Sequence, residues 1–290
     1  MLTLLHISDL HFGPPYLPRV GDALQRIAPA LGADAIIVGG DLTQRAKPAQ
    51  FRKARDFIDE LPRLPRLAIP GNHDIPLYRV WERIFDPLGE YRRHIGPDVD
   101  QVMELDGAMI VALNTTAPRR TIVRGQVDRH QIEFTRRALT HAPRGAARVL
   151  VAHHHFVGAP DRLRDRNMLG GERAMKAFIE MGVDVILGGH LHRAFIGNSL
   201  DFFFEGPRDR GIILVQSGTS TSRHGRGRER ERNSFNLVEI HETWIQVTHY
   251  LYYESNDAFG PMSRHRFPRT GHRLEDHRIH PTHRHVSQTD

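Results

Sequence analysis

A chain of 290 residues, 39% hydrophobic and 26% charged, can bury a sizeable core in one large domain or two, which excludes disorder as its overall state. The absence of Cys removes disulfides, thiolate metal sites and cysteine nucleophiles together. A formal net charge of +6 points toward nucleic acid until it is located: residues 223–232 carry net +3 and residues 262–290 the other +3, so the remaining body is formally neutral. No apolar run approaches the ~18 residues of a membrane helix, and the opening MLTLLHIS lacks the basic flank and cleavage site of an export signal. A cytoplasmic protein with no membrane partner is the expectation.

Continuous apolar runs at 2–7, 34–40 and 66–70 predict strands covered on both faces, because a sheet with one wet face would show alternation. Between them, Leu24, Ile27 and Leu31 for 19–31, and Phe51, Phe57, Ile58 and Leu61 for 48–60, stand at helical spacing, which makes βαβ units. Further strands are predicted at 101–105, 108–114, 147–152 and 183–187, with helices at about 126–140 and 171–181. From 194 onward the pattern is strands only, at 194–204, 211–216, 234–240 and 243–253. Past residue 260 the chain carries Pro261, Pro268 and Pro281, six of its 20 His and no apolar periodicity. This predicts a domain over 1–260 and a disordered, basic His/Arg-rich tail over 261–290.

The polar residues cluster where strands end. SDLH (8–11), GGDLT (39–43), GNHD (71–74), HHH (153–155) and GGHLH (188–192) each follow a predicted buried strand. Ligand sites of open α/β sheets lie beyond the carboxyl ends of strands, so five loops are aimed at one crevice. Imidazole, carboxylate and amide oxygen without sulfur suit Mn, Fe, Zn, Ni or Co. Side chains alternate along an extended segment, so Asp9 with His11, and His190 with His192, are each expected to chelate from one side of a strand-like turn. Neighbouring glycines at 39, 40, 71, 188 and 189 let the backbone turn beside the ions.

Other histidines have plainer readings. His6 lies within the first strand and reads as a satisfied core or edge residue rather than a ligand, while His130, His141, His241 and His249 read as solvated surface. Neither GxGxxG nor a phosphate-loop Lys occurs, and the chain has only three Lys. The stretch GTSTSRHGRGRERER (218–232) reads first as a flexible loop, and second as a substrate contact in which Arg223 approaches the site.

The ordered series DLH, GGD, GNHD, a His at the end of a middle strand, and GHLH resembles the calcineurin-like metallophosphoesterases over about residues 1–255. The resemblance implies an α/β fold, a four-layer α/β/β/α sandwich with the metal site at the strand C-terminal ends, and two ions whose identity among Mn, Fe and Zn stays open. By it, Asp9, His11 and His192 would hold the first ion, Asp41 would bridge both, and Asn72, His154 and His190 would complete the second. His73 would be the non-ligand histidine that stabilises charge and protonates the leaving oxygen, with Asp74 orienting it. Relatives commonly end the middle strand in His-x-Pro, whereas Phe156 stands here in place of the Pro. The register among His153, His154 and His155 is therefore inferred, with His154 as the ligand and its neighbours supporting it.

Two divalent ions less two carboxylates leave +2, so a shared water would lose its proton readily and a phosphate ester anion would be favoured. The function expected is a phosphodiesterase on a small diester such as a cyclic nucleotide or glycerophosphodiester, the diester preference coming from the resemblance alone. A DNA-repair-type nuclease is the second reading, disfavoured by the neutral body. A non-catalytic scaffold on the same fold is the third, disfavoured by the intact His73 and ligand series.

Overall fold

The computed structural model describes residues 1–158, 167–202, 211–224 and 232–272. Among these, the first sheet runs in the order β12 (Ala258–Pro268), β11 (Trp244–Tyr253), β10 (Ser234–Ile240), β1 (Leu2–Ile7), β2 (Ala35–Val38) and β3 (Arg66–Ala68). β1, β2 and β3 are parallel, as the βαβ pattern predicts, while β10, β11 and β12 add on antiparallel. The second sheet runs β4 (Gln101–Leu105), β5 (Ala108–Leu113), β6 (Ala147–Ala152), β7 (Val185–Gly188), β9 (Ile213–Gln216) and β8 (Phe195–Asn198), with β5, β6, β7 and β9 parallel.

Side-chain alternation divides each buried strand between two cores. In β1, Leu5 and Ile7 pack with α1 (Pro18–Ile27) and α2 (Pro48–Glu60), whereas Leu2 and Leu4 face the second sheet and meet Ile110, Val149 and Val185. The far side of the second sheet is covered by α5 (Arg129–Thr140) and α6 (Gly171–Glu180) through Ile132, Leu139, Met175 and Phe178. The order of layers is therefore α/β/β/α, which is why the strands read as continuous apolar runs. Pro18 and Pro48 open their helices, where a missing N–H costs nothing, and Asp128 caps α5 by accepting from Gln131 N at 2.9 Å.

Two short helices, Val80–Phe85 (α3) and Gly89–His94 (α4), escape sequence reading because six residues hold too little periodicity. The expected tail also begins differently. Residues 258–268 form the edge strand β12, with Pro261 opposite Tyr250 where the register against β11 shifts. Prolines are tolerated at an edge or a bulge because no ladder donor is needed there, so they do not mark disorder here. The tail beyond residue 272 and the 225–231 part of the basic loop lie outside the described residues.

His249 is buried rather than solvated, its Nδ1 3.1 Å from Asn236 Oδ1, and Asn236 in turn pairs in register with His6. His6 is fully buried, and neither ring nitrogen has a hydrogen-bond partner among the described residues, so it is not the satisfied core residue expected. Burial pushes both imidazoles down to about 4 from 6.5, so both are neutral in the fold. Between those two values the unfolded chain takes up protons that the folded chain refuses, and stability falls as pH falls through the window. The melting temperature should accordingly drop from about pH 7 to about pH 4.5. His249→Asn should shrink that drop; an unchanged drop in the variant would remove His249 as a contributor.

Candidate metal centre

Loops from the carboxyl ends of β1, β2, β3, β6 and β7 carry the five motifs, so both sheets contribute to one site. Asp9 (φ 56°), His11 (50°), Asp41 (49°), His190 (72°) and His192 (51°) are all left-handed, five of the seven non-glycine residues with positive φ among those described. The paired motifs are therefore not extended chelates, as alternation predicts. Each candidate ligand is turned individually, at a backbone cost of order 1–3 kcal/mol that its surroundings must offset. Two glycines make the approach feasible. An ideal Cβ on Gly71 would stand 2.2 Å from Asp41 Oδ1, and one on Gly40, itself at φ 103°, 2.5 Å from the His153 ring.

Asp9, His11, Asp41 and His192, all buried, form one donor group, their ligand atoms within 4.8 Å of one another. His11 Nε2 faces His192 Nε2 at 3.0 Å, and His192 Nε2 lies 3.1 Å from Asp9 Oδ1. Ser8 Oγ donates to Asp9 Oδ2 at 2.6 Å, and the His190 N–H donates to the same carboxylate at 3.1 Å. Thus one motif's backbone orients another motif's ligand.

His153, His154 and His190 form the second group at the same spacing. His153 was expected only to support its neighbour, yet its Nε2 stands 3.3 Å from Asp41 Oδ2. His154 is brought in as well, its Nδ1 held by Thr115 Oγ1 at 2.7 Å. His155 stacks on His190 at 5.5 Å, and Asn72 Oδ1 accepts from His190 Nδ1 at 2.8 Å. The three-histidine run hid this because a turn after the strand breaks the alternation that would select one of them. His153, His154 and His192 share a device: an outer oxygen, from Gly39, Thr115 or His224, engages Nδ1 and aims Nε2 inward.

Asp74 does not orient His73. Its carboxylate accepts from the N–H groups of Leu42 (3.1 Å), Thr43 (2.8 Å) and Gly71 (2.9 Å) and from Thr43 Oγ1 (2.9 Å), bracing the two loops that carry Asp41 and Asn72. The His73 ring is instead held at Nδ1 by the Gln44 carbonyl oxygen, 3.1 Å away, and its backbone N–H donates to Asp41 Oδ1 at 2.7 Å.

The Ser/Thr stretch after β9 is not a flexible loop over its described part. Residues 217–222 are buried, and Ser220, Thr219 and Thr221 bond the backbones of Ser8, Asp9 and Leu10. Arg223 at its end is exposed, and the next residue, His224, turns to the site. Its ring lies 4.7 Å from that of His11 and 5.3 Å from that of His192. Sequence reasoning passed over His224 for the neighbouring arginine; the available signal was a histidine closing a run of small polar residues.

Electrostatics mark the donors as a cation site. Burial alone would raise Asp9, but bonds from His11 and His192 hold it well below the usual carboxylate range. Burial likewise opposes the charge on Asp41, and His153 overcomes it. Against its own burial, His153 is pushed up to about 9 by Asp41, so a proton there does the work a cation would do. Burial drives His11, His154 and His190 down, toward the neutral form that ligates. Asp41 Oδ2, His153 Nε2 and His154 Nε2 are buried without hydrogen bonds among the described residues. Acceptors so converged and unpaired fit divalent ions on an N/O donor set.

A cavity of about 450 Å³ opens over this centre, lined in part by Asp41, Asn72, His73, Arg124, His155 and His190. Arg124 also lines a neighbouring cavity of about 880 Å³, which contains none of the candidate ligands. No helix among the described residues is long and apolar enough to cross a membrane.

Known proteins resemble this chain in sequence and in fold. A probable cyclic nucleotide phosphodiesterase of Synechococcus sp. is 27% identical over 219 residues, covering 71% of this chain and 80% of its own. A cAMP/cGMP dual specificity phosphodiesterase of Mycobacterium tuberculosis is 32% identical over 214 residues, covering 66% of this chain but only 61% of its own. In fold, the chain is similar to a purple acid phosphatase from yellow lupin seeds (TM-score 0.67, 12% identity, covering 93% of this chain and 54% of that one). It is also similar to a dimetal phosphatase from Danio rerio (TM-score 0.64, 11% identity, covering 92% and 99%). The calcineurin-like phosphoesterase family model matches residues 2–194, across all five motifs, and the chain belongs to that family of metal-dependent phosphoesterases.

Proposed function

We propose that the chain is a two-metal phosphodiesterase for small diesters, cyclic nucleotides or glycerophosphodiesters. In this reading Asp9, His11, Asp41 and His192 surround one ion, and Asp41, Asn72, His154 and His190 the other, with His153 beside the shared carboxylate. The observation that carries it is Asp41 Oδ2: buried and without a hydrogen bond among the described residues, it lies 3.8 Å from His11 Nε2 in one group and 3.3 Å from His153 Nε2 in the other. Ions held there supply Lewis acidity, neutralising phosphoryl charge and lowering the pKa of water.

The chain's own residues supply the rest. With Nδ1 donating to the Gln44 carbonyl, His73 keeps Nε2 for the substrate; the doubly protonated ring gives its Nε2 proton to the leaving oxygen and is left neutral. Arg124, in the cavity wall, offers a cation to the diester anion. The cavity volume suits a small ligand, and the names of the cyanobacterial and mycobacterial relatives favour cyclic nucleotides.

The test is elemental analysis paired with a panel of cyclic nucleotides, glycerophosphodiesters and single-stranded DNA. Two ions per chain and turnover of small diesters that is insensitive to salt are expected, with chelation abolishing turnover and added metal restoring it. A faster, strongly salt-dependent cleavage of DNA would replace this reading with the nuclease. Metal-loaded protein inert on every diester would leave the scaffold.

A further inference from the structure

Two imidazoles that belong to neither donor group bracket His11. The His73 ring lies 4.8 Å from it at 90°, the His224 ring 4.7 Å at 67°, and the two are 6.3 Å apart. One residue holds both. Buried Gln44 accepts from His73 Nδ1 with its main-chain oxygen at 3.1 Å, and its side-chain amide is bonded to His224 Nε2 at 2.9 Å.

The structural duty of residue 224 is carried by its main chain, since its carbonyl oxygen engages His192 Nδ1 at 3.0 Å. The side chain is not needed for that. It is half-buried, tied at one nitrogen only, and its Nδ1 has no hydrogen bond among the described residues. A polar edge left open beside a phosphoryl-binding centre is placed for a substrate oxygen. We infer that His224 is a substrate-contacting residue acting beside His73, and that Gln44 is the positioning residue that fixes the two rings. The inference rests on the proposed phosphoester function and adds to it a contact outside the metal ligands.

Gln44→Met separates the two bonds, because the main-chain oxygen to His73 survives while the side-chain bond to His224 is lost. In metal-loaded protein, His224→Ala and Gln44→Met should each keep the wild-type metal content. Each should lower kcat/KM on an aryl phosphodiester by roughly 10- to 100-fold, the span of a hydrogen bond to a charged group. The affinity for inorganic phosphate should weaken by a similar factor. Since the two act on one contact, the double variant should lose no more than the worse single one.

Unchanged kcat/KM and phosphate affinity in His224→Ala would overturn the inference. So would loss of metal in both His224→Ala and His224→Gln, which would make the side chain part of the ligand scaffold. A wild-type protein that hydrolyses no diester would refute the proposed function instead, and the phosphate affinities would still decide His224.

Discussion

Asp41→Ala is expected to reduce phosphodiester hydrolysis to background, on the order of 10³-fold or more, because one carboxylate serves both proposed ions. The Asp41 carboxylate lies beside an imidazole of each donor group. It also accepts the His73 N–H, so its removal strips a partner from a third motif. Among the described residues the only other carboxylate in either donor group is that of Asp9, which meets the imidazoles of the first group and only the main-chain N–H of His190 from the second. Removing Asp41 therefore leaves the second set without a carboxylate, on imidazoles and the Asn72 amide, and with a weaker hold on a divalent ion. Metal content should fall with activity. A variant that binds two ions and retains a tenth of the wild-type rate would refute the bridging role.

His73→Ala should leave metal content intact and lower kcat by roughly 10²–10⁴-fold, the usual scale for a general acid. No atom of the His73 side chain is in either donor group, and its ring is held from outside by a main-chain oxygen. The substitution removes a proton donor without disturbing a ligand, and its main-chain bond to Asp41 persists. The defect should be smallest for substrates with good leaving groups, such as nitrophenyl diesters, because they need no proton. Equal loss of metal in His73→Ala and Asp41→Ala would contradict this division. Asp74→Ala has a different expectation from that of an orienting partner: it should loosen the loops at 41–43 and 71 together, since four bonds end on its carboxylate.

The strands β1, β4, β6 and β10 and the helix α2 appear within a residue of their expected bounds, because continuous apolar runs and helical spacings are properties of neighbouring positions. The same locality explains the failures. β12 was hidden by Pro261 and Pro268, whose tolerance depends on an edge that only sheet pairing creates. His249 looked like surface until β11 was laid between β10 and β12.

At the centre, the chemistry was legible and the geometry was not. Residue types at strand ends give an N/O donor set and its candidate members, since five local motifs each offer their own donors. Three further facts needed the fold: that His153 faces Asp41, that Gln44 rather than Asp74 holds the His73 ring, and that His224 arrives beside His11 from 213 residues along the chain. Each is a contact between loops from different strands, set by left-handed turns and by how the two sheets bring those loops together. A sequence records which groups follow which, and packing alone decides which of them meet.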